Sequence, residues 1–230
     1  MKAPAVKGSS PTGAARKHDR ILVVDFGSQY TQLIARRIRE ERVYSEVAGP
    51  AQALARAQGE ELRGLILSGG PASAYGKDAP SLPAAILRCG VPILGICYGM
   101  QWLCEALGGK VVLGENREFG FTRLRVNASQ GLFRGVDPET TVWMSHGDRV
   151  ERLPLGFARL AETSSCPEAA VGNPAQGFYG LQFHPEVAHT REGGRILANF
   201  LFSVCECRGD WSPQDLAREL VDSVGRQVGD

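Results

Sequence analysis

Two short stretches, far apart in the chain, hold side chains that together could carry nucleophilic chemistry. The first is Gly95-Ile96-Cys97-Tyr98-Gly99, which follows the apolar run Val91-Pro92-Ile93-Leu94. A cysteine between a buried strand and a helix, with glycine two residues to either side, is the thiol counterpart of the Gly-x-Ser-x-Gly elbow. Small neighbours let the chain turn sharply enough to project the nucleophile. A thiol at a helix N-terminus also faces the positive end of the helix dipole, which favours the thiolate. On these residues alone, Cys97 reads equally as a small buried hydrophobe.

The second stretch is Tyr179-Gly180-Leu181-Gln182-Phe183-His184-Pro185-Glu186, a strand-like run ending in His-Pro-Glu. Residues two apart on an extended chain point to the same side, so His184 and Glu186 can present imidazole and carboxylate together. Pro185 is tolerated where ladder pairing ends. A carboxylate on one ring nitrogen holds the tautomer that leaves the other nitrogen facing a thiol. A His near a Glu also describes an ordinary surface pair; with an elbow cysteine upstream it describes a Cys/His/Glu triad.

The remaining candidates read more plainly. Cys104 lies seven positions along the elbow helix and reads as core, while Cys89 and Cys166 lack an elbow. Cys205 and Cys207 form a C-x-C pair, but a structural zinc site needs four ligands and no Cys or His pair lies nearby, so no metal is expected. His18 falls in the leader. His146, in Met144-Ser145-His146-Gly147-Asp148, and His189 have no carboxylate in the same placement and read as structural on spacing alone.

The elements that must position the triad follow from periodicity. Ile21 to Asp25 is a short aliphatic block of the kind buried on both faces of a parallel sheet. Leu33, Ile34 and Ile38 recur at helical spacing from Gln29 to Glu41, with Ser28 as the expected N-cap. The same strand and helix grammar repeats at Leu65 to Leu67 and at Val91 to Ile96, the latter followed by a helix from Tyr98 to Leu107. This alternation predicts a doubly wound, mostly parallel α/β sheet. Beyond Gly109 the pattern changes to short strand-like runs, Lys110 to Leu113, Thr122 to Val126, Thr141 to Met144 and Gly177 to Phe183, which predict an antiparallel extension. A last helix is expected from Glu192 to Cys205. After Gly209, Ser212 and Pro213 open a further helix as N-cap and first residue, with little left to pack against.

The totals bound the function. The 230 residues are 43% hydrophobic and 22% charged, enough for one sizeable core. A net charge of +1 provides no field that would recruit nucleic acid or an anionic membrane, so neither is an expected partner. Six irregularly spaced cysteines in a chain of this size suit a reducing, cytoplasmic compartment. Residues 1–19 are rich in Ala, Pro, Gly, Ser and Lys without a signal-like apolar run, and read as a disordered leader.

Taken together, Val24-Asp25-Phe26-Gly27-Ser28-Gln29-Tyr30, Leu67-Ser68-Gly69-Gly70-Pro71, the Cys97 elbow, Met144-Ser145-His146-Gly147-Asp148 and Gln182-Phe183-His184-Pro185-Glu186 resemble the class I (triad) glutamine amidotransferases. The Asp25 to Tyr30 segment, Arg117-Glu118-Phe119-Gly120 and His189-Thr190-Arg191-Glu192-Gly193 are similar to the branch that serves GMP synthetases. The resemblance runs from about Arg20 to the C-terminus and implies a flavodoxin-like sheet. It implies that Cys97 attacks the side-chain amide of glutamine, with His184 as general base and Glu186 as its orienter. The backbone N–H groups of Gly70 and Tyr98 would hold the oxyanion, and Gln101, Ser145, His146 and Asp148 would contact glutamine, Asp148 through the α-ammonium group. No cofactor is implied for this half-reaction.

In that branch the amidotransferase works with an ATP-pyrophosphatase module, which carries ATP and magnesium and a Ser-Gly-Gly-Val-Asp-Ser loop. That loop is absent here, since Ser68-Gly69-Gly70 is followed by Pro71. The amidotransferase domain is thus expected over 20–207, with 208–230 a linker helix toward a missing domain or separate subunit. Low glutaminase activity is expected without that partner. The competing readings are an amidotransferase for another synthetase (anthranilate, carbamoyl phosphate or CTP), a non-catalytic interaction domain of the same fold, and a γ-glutamyl peptidase.

Overall fold

A computed structural model describes residues 18–73, 76, 79–80 and 82–214, residues 115 and 116 by their backbone alone. Its frame is one nine-stranded sheet. Strand β1 (Arg20–Val24) lies in the parallel half, between the edge strand β2 (Tyr44–Ala48) and β3 (Leu62–Leu67). Strand β4 (Ile93–Ile96) follows β3, and β9 (Phe178–Leu181) follows β4, all parallel. The resulting order β2-β1-β3-β4-β9 is the flavodoxin-like winding.

The unbroken apolar run of β1 follows from burial on both faces. Ile21 and Val23 join the core under helices α1 (Thr31–Glu40) and α4 (Gly193–Asn199), through Ile34, Ile38, Ile196 and Leu197. Leu22 and Val24 join the opposite core, with Ala53 of α2 (Pro50–Arg56) and Leu103 of α3 (Tyr98–Ala106). Side chains alternate across the sheet because strand period is two, and neither face is left to water.

The other half is antiparallel, with β8 (Ala170–Asn173), β7 (Ala158–Glu162), β5 (Lys110–Val126) and β6 (Glu139–Arg152) continuing outward from β9. The two expected runs at Lys110 to Leu113 and Thr122 to Val126 are the ends of one strand, β5. Its ladder with β6 pairs Leu113 with Asp148 and then Glu118 with His146, so residues 114–117 bulge opposite Gly147. Pattern does not predict strands β7 and β8. Arg159, Glu162, Gly172 and Asn173 have weak strand preference, and pairing between β5 and β9 makes these segments extended.

Two expected helix boundaries change. Ser28 does not cap α1: its hydroxyl accepts from Tyr30 N–H (3.1 Å), while Asp25 Oδ1 accepts from Gly27 N–H and Thr31 Oγ1, and the helix starts at Thr31. Short polar side chains that bond into a turn compete with the first helical turn. The last helix runs only from Gly193 to Asn199 and then widens into a π-type turn over Phe200–Val204.

One clamp joins residues at the two expected domain edges. Asp19, 2% exposed, accepts from Arg63 Nε (2.8 Å) and from Arg208 N (2.8 Å) and Nε (2.9 Å). Burial raises the Asp19 carboxyl, but the bonds from Arg63 and Arg208 outweigh it and hold the group below its ordinary range. His18 pairs with Asp210, and the backbone N–H of buried Trp211 donates to Arg42 O (2.9 Å). Residues 208–211 therefore pack on the body, through contacts that leave no periodic signature. Residues 1–17 of the expected leader and 215–230 of the expected linker helix lie outside the described residues. Among the described residues no helix is long and apolar enough to cross a membrane.

Candidate active site

The carboxyl ends of β1, β3 and β4 open into one cleft of about 510 Å³, the place where open α/β sheets present ligand sites. Every expected site residue except Glu186 lines it.

Cys97 forms the turn between β4 and α3 with φ 52° and ψ −107°, a positive φ that a side-chain-bearing residue adopts only under constraint. The constraint is visible. Cys97 N–H donates to Leu181 O (2.7 Å), and Gly99 N–H donates to Ser68 O (3.0 Å). A Cβ on Gly95 would lie 2.5 Å from the Gly99 carbonyl, and one on Gly99 would lie 2.2 Å from Leu67 O. Both glycines are therefore required by close backbone approach. Burial pushes the thiols of Cys104 and Cys166 up to about 12, so these remain protonated at neutral pH. Cys205, also raised, sits beneath Gly64, where a Cβ would come 2.5 Å from its sulfur.

Beside the elbow runs Ser68-Gly69-Gly70-Pro71. The Ser68 hydroxyl accepts from Phe26 N–H (3.0 Å) and donates to Gly69 O (2.8 Å), tying this turn to the end of β1. A Cβ on Gly70 would meet Phe26 O at 2.9 Å, and one on Gly69 would meet His184 Cε1 at 3.2 Å. Phe26 O thus bars a side chain at Gly70, and at Gly69 a Cβ would crowd His184, before any substrate is considered. Neither Gly70 N–H nor Tyr98 N–H donates to another described residue. Tyr98 opens α3, so its N–H has no acceptor within the helix, and both donors are available to an anion.

His184 and Glu186 lie just past β9, buried at 4% and 0% exposure. The imidazole Nδ1 is 2.8 Å from Glu186 Oε1, and the ring hydrogen-bonds the Cys97 side chain. Its backbone is fixed as well: His184 N–H donates to Trp143 O (3.1 Å), and Thr190 Oγ1 donates to His184 O (2.5 Å). The Tyr30 ring meets the imidazole edge-on at 5.3 Å. Burial pulls the imidazole down, yet hydrogen bonds to Cys97 and Glu186, and their negative charge, overcome it and hold the group up near about 10. The arrangement favours a protonated imidazole beside the Cys97 sulfur.

The wall opposite is β6. Ser145 O lies 3.7 Å from the Cys97 sulfur, and Gln182 Nε2 approaches the same sulfur to 3.7 Å. Gln101, 3% exposed, donates from Nε2 to Asp148 O (3.0 Å) and Gln182 Oε1 (3.2 Å). His146 is engaged at both ring nitrogens, Nδ1 with Asp148 O (2.9 Å) and Nε2 with Glu118 Oε2 (3.4 Å). Gln101 and His146, two of the four residues expected to contact glutamine, thus have internal partners and brace the Asp148 backbone. Asp148 itself lines the cleft. Sequence reasoning gives no role to Ser68, Glu118, Gln182 or Thr190. Each lies within a quoted motif, yet only the folded contacts show what its polar group holds.

The glutamine amidotransferase class-I family profile matches residues 22–204. Over 231 residues the chain is 48% identical to the glutamine-hydrolysing GMP synthase of Nitrobacter hamburgensis, covering 99% of this chain and 43% of that protein. It is 47% identical over 215 residues to the glutamine-hydrolysing GMP synthase of Heliobacterium modesticaldum, covering 94% of this chain and 42% of that protein. It therefore spans less than half the length of these relatives. A solved structure from Thermoplasma acidophilum, described as one subunit of a GMP synthase, aligns with TM-score 0.72 and 32% identity over 82% of this chain and 94% of that one. A Thermotoga maritima glutamine amidotransferase shares the fold, with TM-score 0.69 and 22% identity over 82% of this chain and 99% of that one. With the profile matching most of its length, the chain belongs to the class I glutamine amidotransferase family.

Proposed function

We propose that this chain hydrolyses the side-chain amide of glutamine through a Cys97 thioester and supplies the ammonia to an ATP-pyrophosphatase that aminates XMP to GMP. The observation that carries this reading is the strained Cys97 elbow hydrogen-bonded to a His184–Glu186 pair, beside two backbone N–H donors.

The Cys97 thiolate attacks the amide carbon, and the carbonyl π pair moves onto oxygen, where the N–H groups of Gly70 and Tyr98 meet it. Fixed donors of this kind are worth about 10²–10³ in rate each. His184 gives its proton to the amide nitrogen, the C–N bond breaks, ammonia leaves and the thioester remains. Acylation removes the thiolate charge, one of the influences that raised His184. The neutral ring then takes a proton from water, the hydroxide adds, the C–S bond breaks, and glutamate leaves with the thiolate restored. Glu186 holds the tautomer throughout. This half needs no cofactor; ATP and magnesium belong to the synthetase that activates XMP.

The partner is supported by the rim of the cleft. Leu113 and Phe119 line the mouth, and Phe119 and Phe121 are 68% and 66% exposed. Phe121 meets the rings of Trp143 and His189 edge-on, extending an apolar face of the sort that marks protein contacts. Ammonia loses its nucleophilicity once protonated in bulk water, so a docked partner must cover the exit. Six free cysteines suit the reducing cytoplasm where this chemistry would run.

The test is glutaminase turnover of wild type and Cys97→Ala, alone and with the ATP-pyrophosphatase part of a GMP synthase supplied with ATP, magnesium and XMP. Turnover is expected only with Cys97 and should rise on docking. Turnover retained in Cys97→Ala would sink the mechanism, and equal wild-type rates with and without the partner would sink the coupling.

A further inference from the structure

We infer that Arg117 recognises the α-carboxylate of glutamine, an assignment that rests on the amidotransferase reading and deepens it. Among the described residues lining the cleft, Asp148 is the only carboxylate and Arg117 the only arginine or lysine. The free end of glutamine is an α-amino acid zwitterion and needs one charge of each sign to hold it. An amide end alone would need neither.

The placement of Arg117 follows from the ladder. It is the last residue of the 114–117 bulge, the stretch that faces Gly147 where β5 and β6 fall out of register. Bulges beside sites re-aim a side chain that a regular ladder would point elsewhere. Here the side chain lies over Gly147: a Cβ there would come 3.6 Å from Arg117 Cγ and 3.7 Å from Nε. Gly147 stands between Asp148 and His146, two residues on from Ser145, whose carbonyl adjoins the Cys97 sulfur. The absence of a side chain at Gly147 leaves room for the arginine stem across the strand.

The bulge is anchored immediately after Arg117. Glu118 Oε2 faces His146 Nε2 (3.4 Å), and its Oε1 accepts from Thr163 Oγ1 (3.3 Å) and from the Ser165 hydroxyl. With those partners Glu118 is not the counter-ion of its neighbour. Arg20, Arg63, Arg125, Arg159 and Arg208 each hold a carboxylate elsewhere in the fold. Arg117 is exposed and makes no hydrogen bond or ion pair to a described residue. An arginine without an internal partner, held beside a cleft, presents a planar fork matched to a carboxylate.

The experiment compares two reagents on the whole 230-residue chain. One is a diazoketone analogue of glutamine that keeps both α-groups; the other is iodoacetamide, which has neither. Second-order labelling of Cys97 is followed by intact mass in wild type, Arg117→Ala and Arg117→Lys. For Arg117→Ala, labelling by the analogue should slow about 10- to 100-fold, the worth of a charge-assisted bond, while labelling by iodoacetamide holds. Arg117→Lys should recover part of the loss. Equal slowing with both reagents would make Arg117 a prop of the cleft wall, and no slowing would dismiss it; either overturns the inference alone. If the wild-type protein reacts with iodoacetamide but not with the analogue, the glutamine reading falls, and this inference with it.

Discussion

Two buried histidine–glutamate pairs stand on either side of the cleft, and they differ in what the imidazole has left to offer. His184 spends Nδ1 on Glu186 and keeps its other nitrogen for the sulfur of Cys97. His146 spends both nitrogens inside the protein, on Glu118 and on the carbonyl of Asp148. The carboxylates differ as well. Glu118 collects two hydroxyl donors besides its histidine, whereas Glu186 Oε2 is buried with no partner among the described residues. An unpaired buried carboxylate oxygen costs stability, and a charged imidazole beside it offsets that cost. One pair is a fully satisfied brace between β5, β6 and the segment after β7. The other is left partly unsatisfied, with one carboxylate oxygen unpartnered among the described residues and the imidazole turned to Cys97.

The widest gap between the pairs should appear in turnover. His184→Gln removes the proton carrier and should lower glutaminase kcat on the order of 10⁴-fold or more, because members of a triad act as a unit. His146→Gln should change kcat less than about 10-fold and act mainly on KM, since its ring braces the cleft wall and carries no proton in the reaction. Steady-state assays of both variants, with circular dichroism to verify folding, check the contrast. Comparable losses of kcat would erase the distinction.

Replacing the carboxylates sharpens the same contrast at smaller scale. Glu186→Gln puts an amide opposite Nδ1, which can select the wrong tautomer, and should cost about 10²- to 10⁴-fold in kcat. Glu118→Gln keeps the shape but weakens the bonds from Thr163, Ser165 and His146. It should cost about 1–3 kcal/mol of stability, read from urea midpoints, with little loss of kcat.

The contrast also shows how much of the site is legible in the sequence. Cys97, His184 and Glu186 stand out because a glycine-flanked turn and a two-residue strand spacing are local features, visible without a partner. The parallel half is legible for the same reason: β1, β3 and β4 are continuous apolar blocks that only a doubly covered sheet explains. Strands β7 and β8 carry no such block and exist because neighbours pair with them. His146 reads as a ligand contact by resemblance, and its second partner, Glu118, lies 28 positions away. Asp19 falls in the expected leader because its partners Arg63 and Arg208 lie 44 and 189 positions off. Periodicity reports what a segment does with its own neighbours. Long-range polar contacts leave no trace in it.

The smallest effect, read as a slope, concerns how the His184 pair contributes to stability across pH. Burial opposes the charged ring, but the bonds and charges of Cys97 and Glu186 prevail, so the folded group titrates near about 10, above its ordinary value near ~6.5. A group raised on folding binds its proton more tightly in the native state. Its stabilisation is complete below ~6.5 and drains away as the pH climbs toward about 10. The stability difference between wild type and His184→Gln should therefore narrow steadily between those limits, while the difference between wild type and Glu118→Gln should not follow that course. In Cys97→Ala one of the raising influences is gone, so the decline should still begin near the ordinary value but end at lower pH and be smaller in total. Urea midpoints of the four proteins across this range supply the comparison. A gap that widens with pH would mean that burial prevails, and that His184 rests neutral beside a protonated thiol.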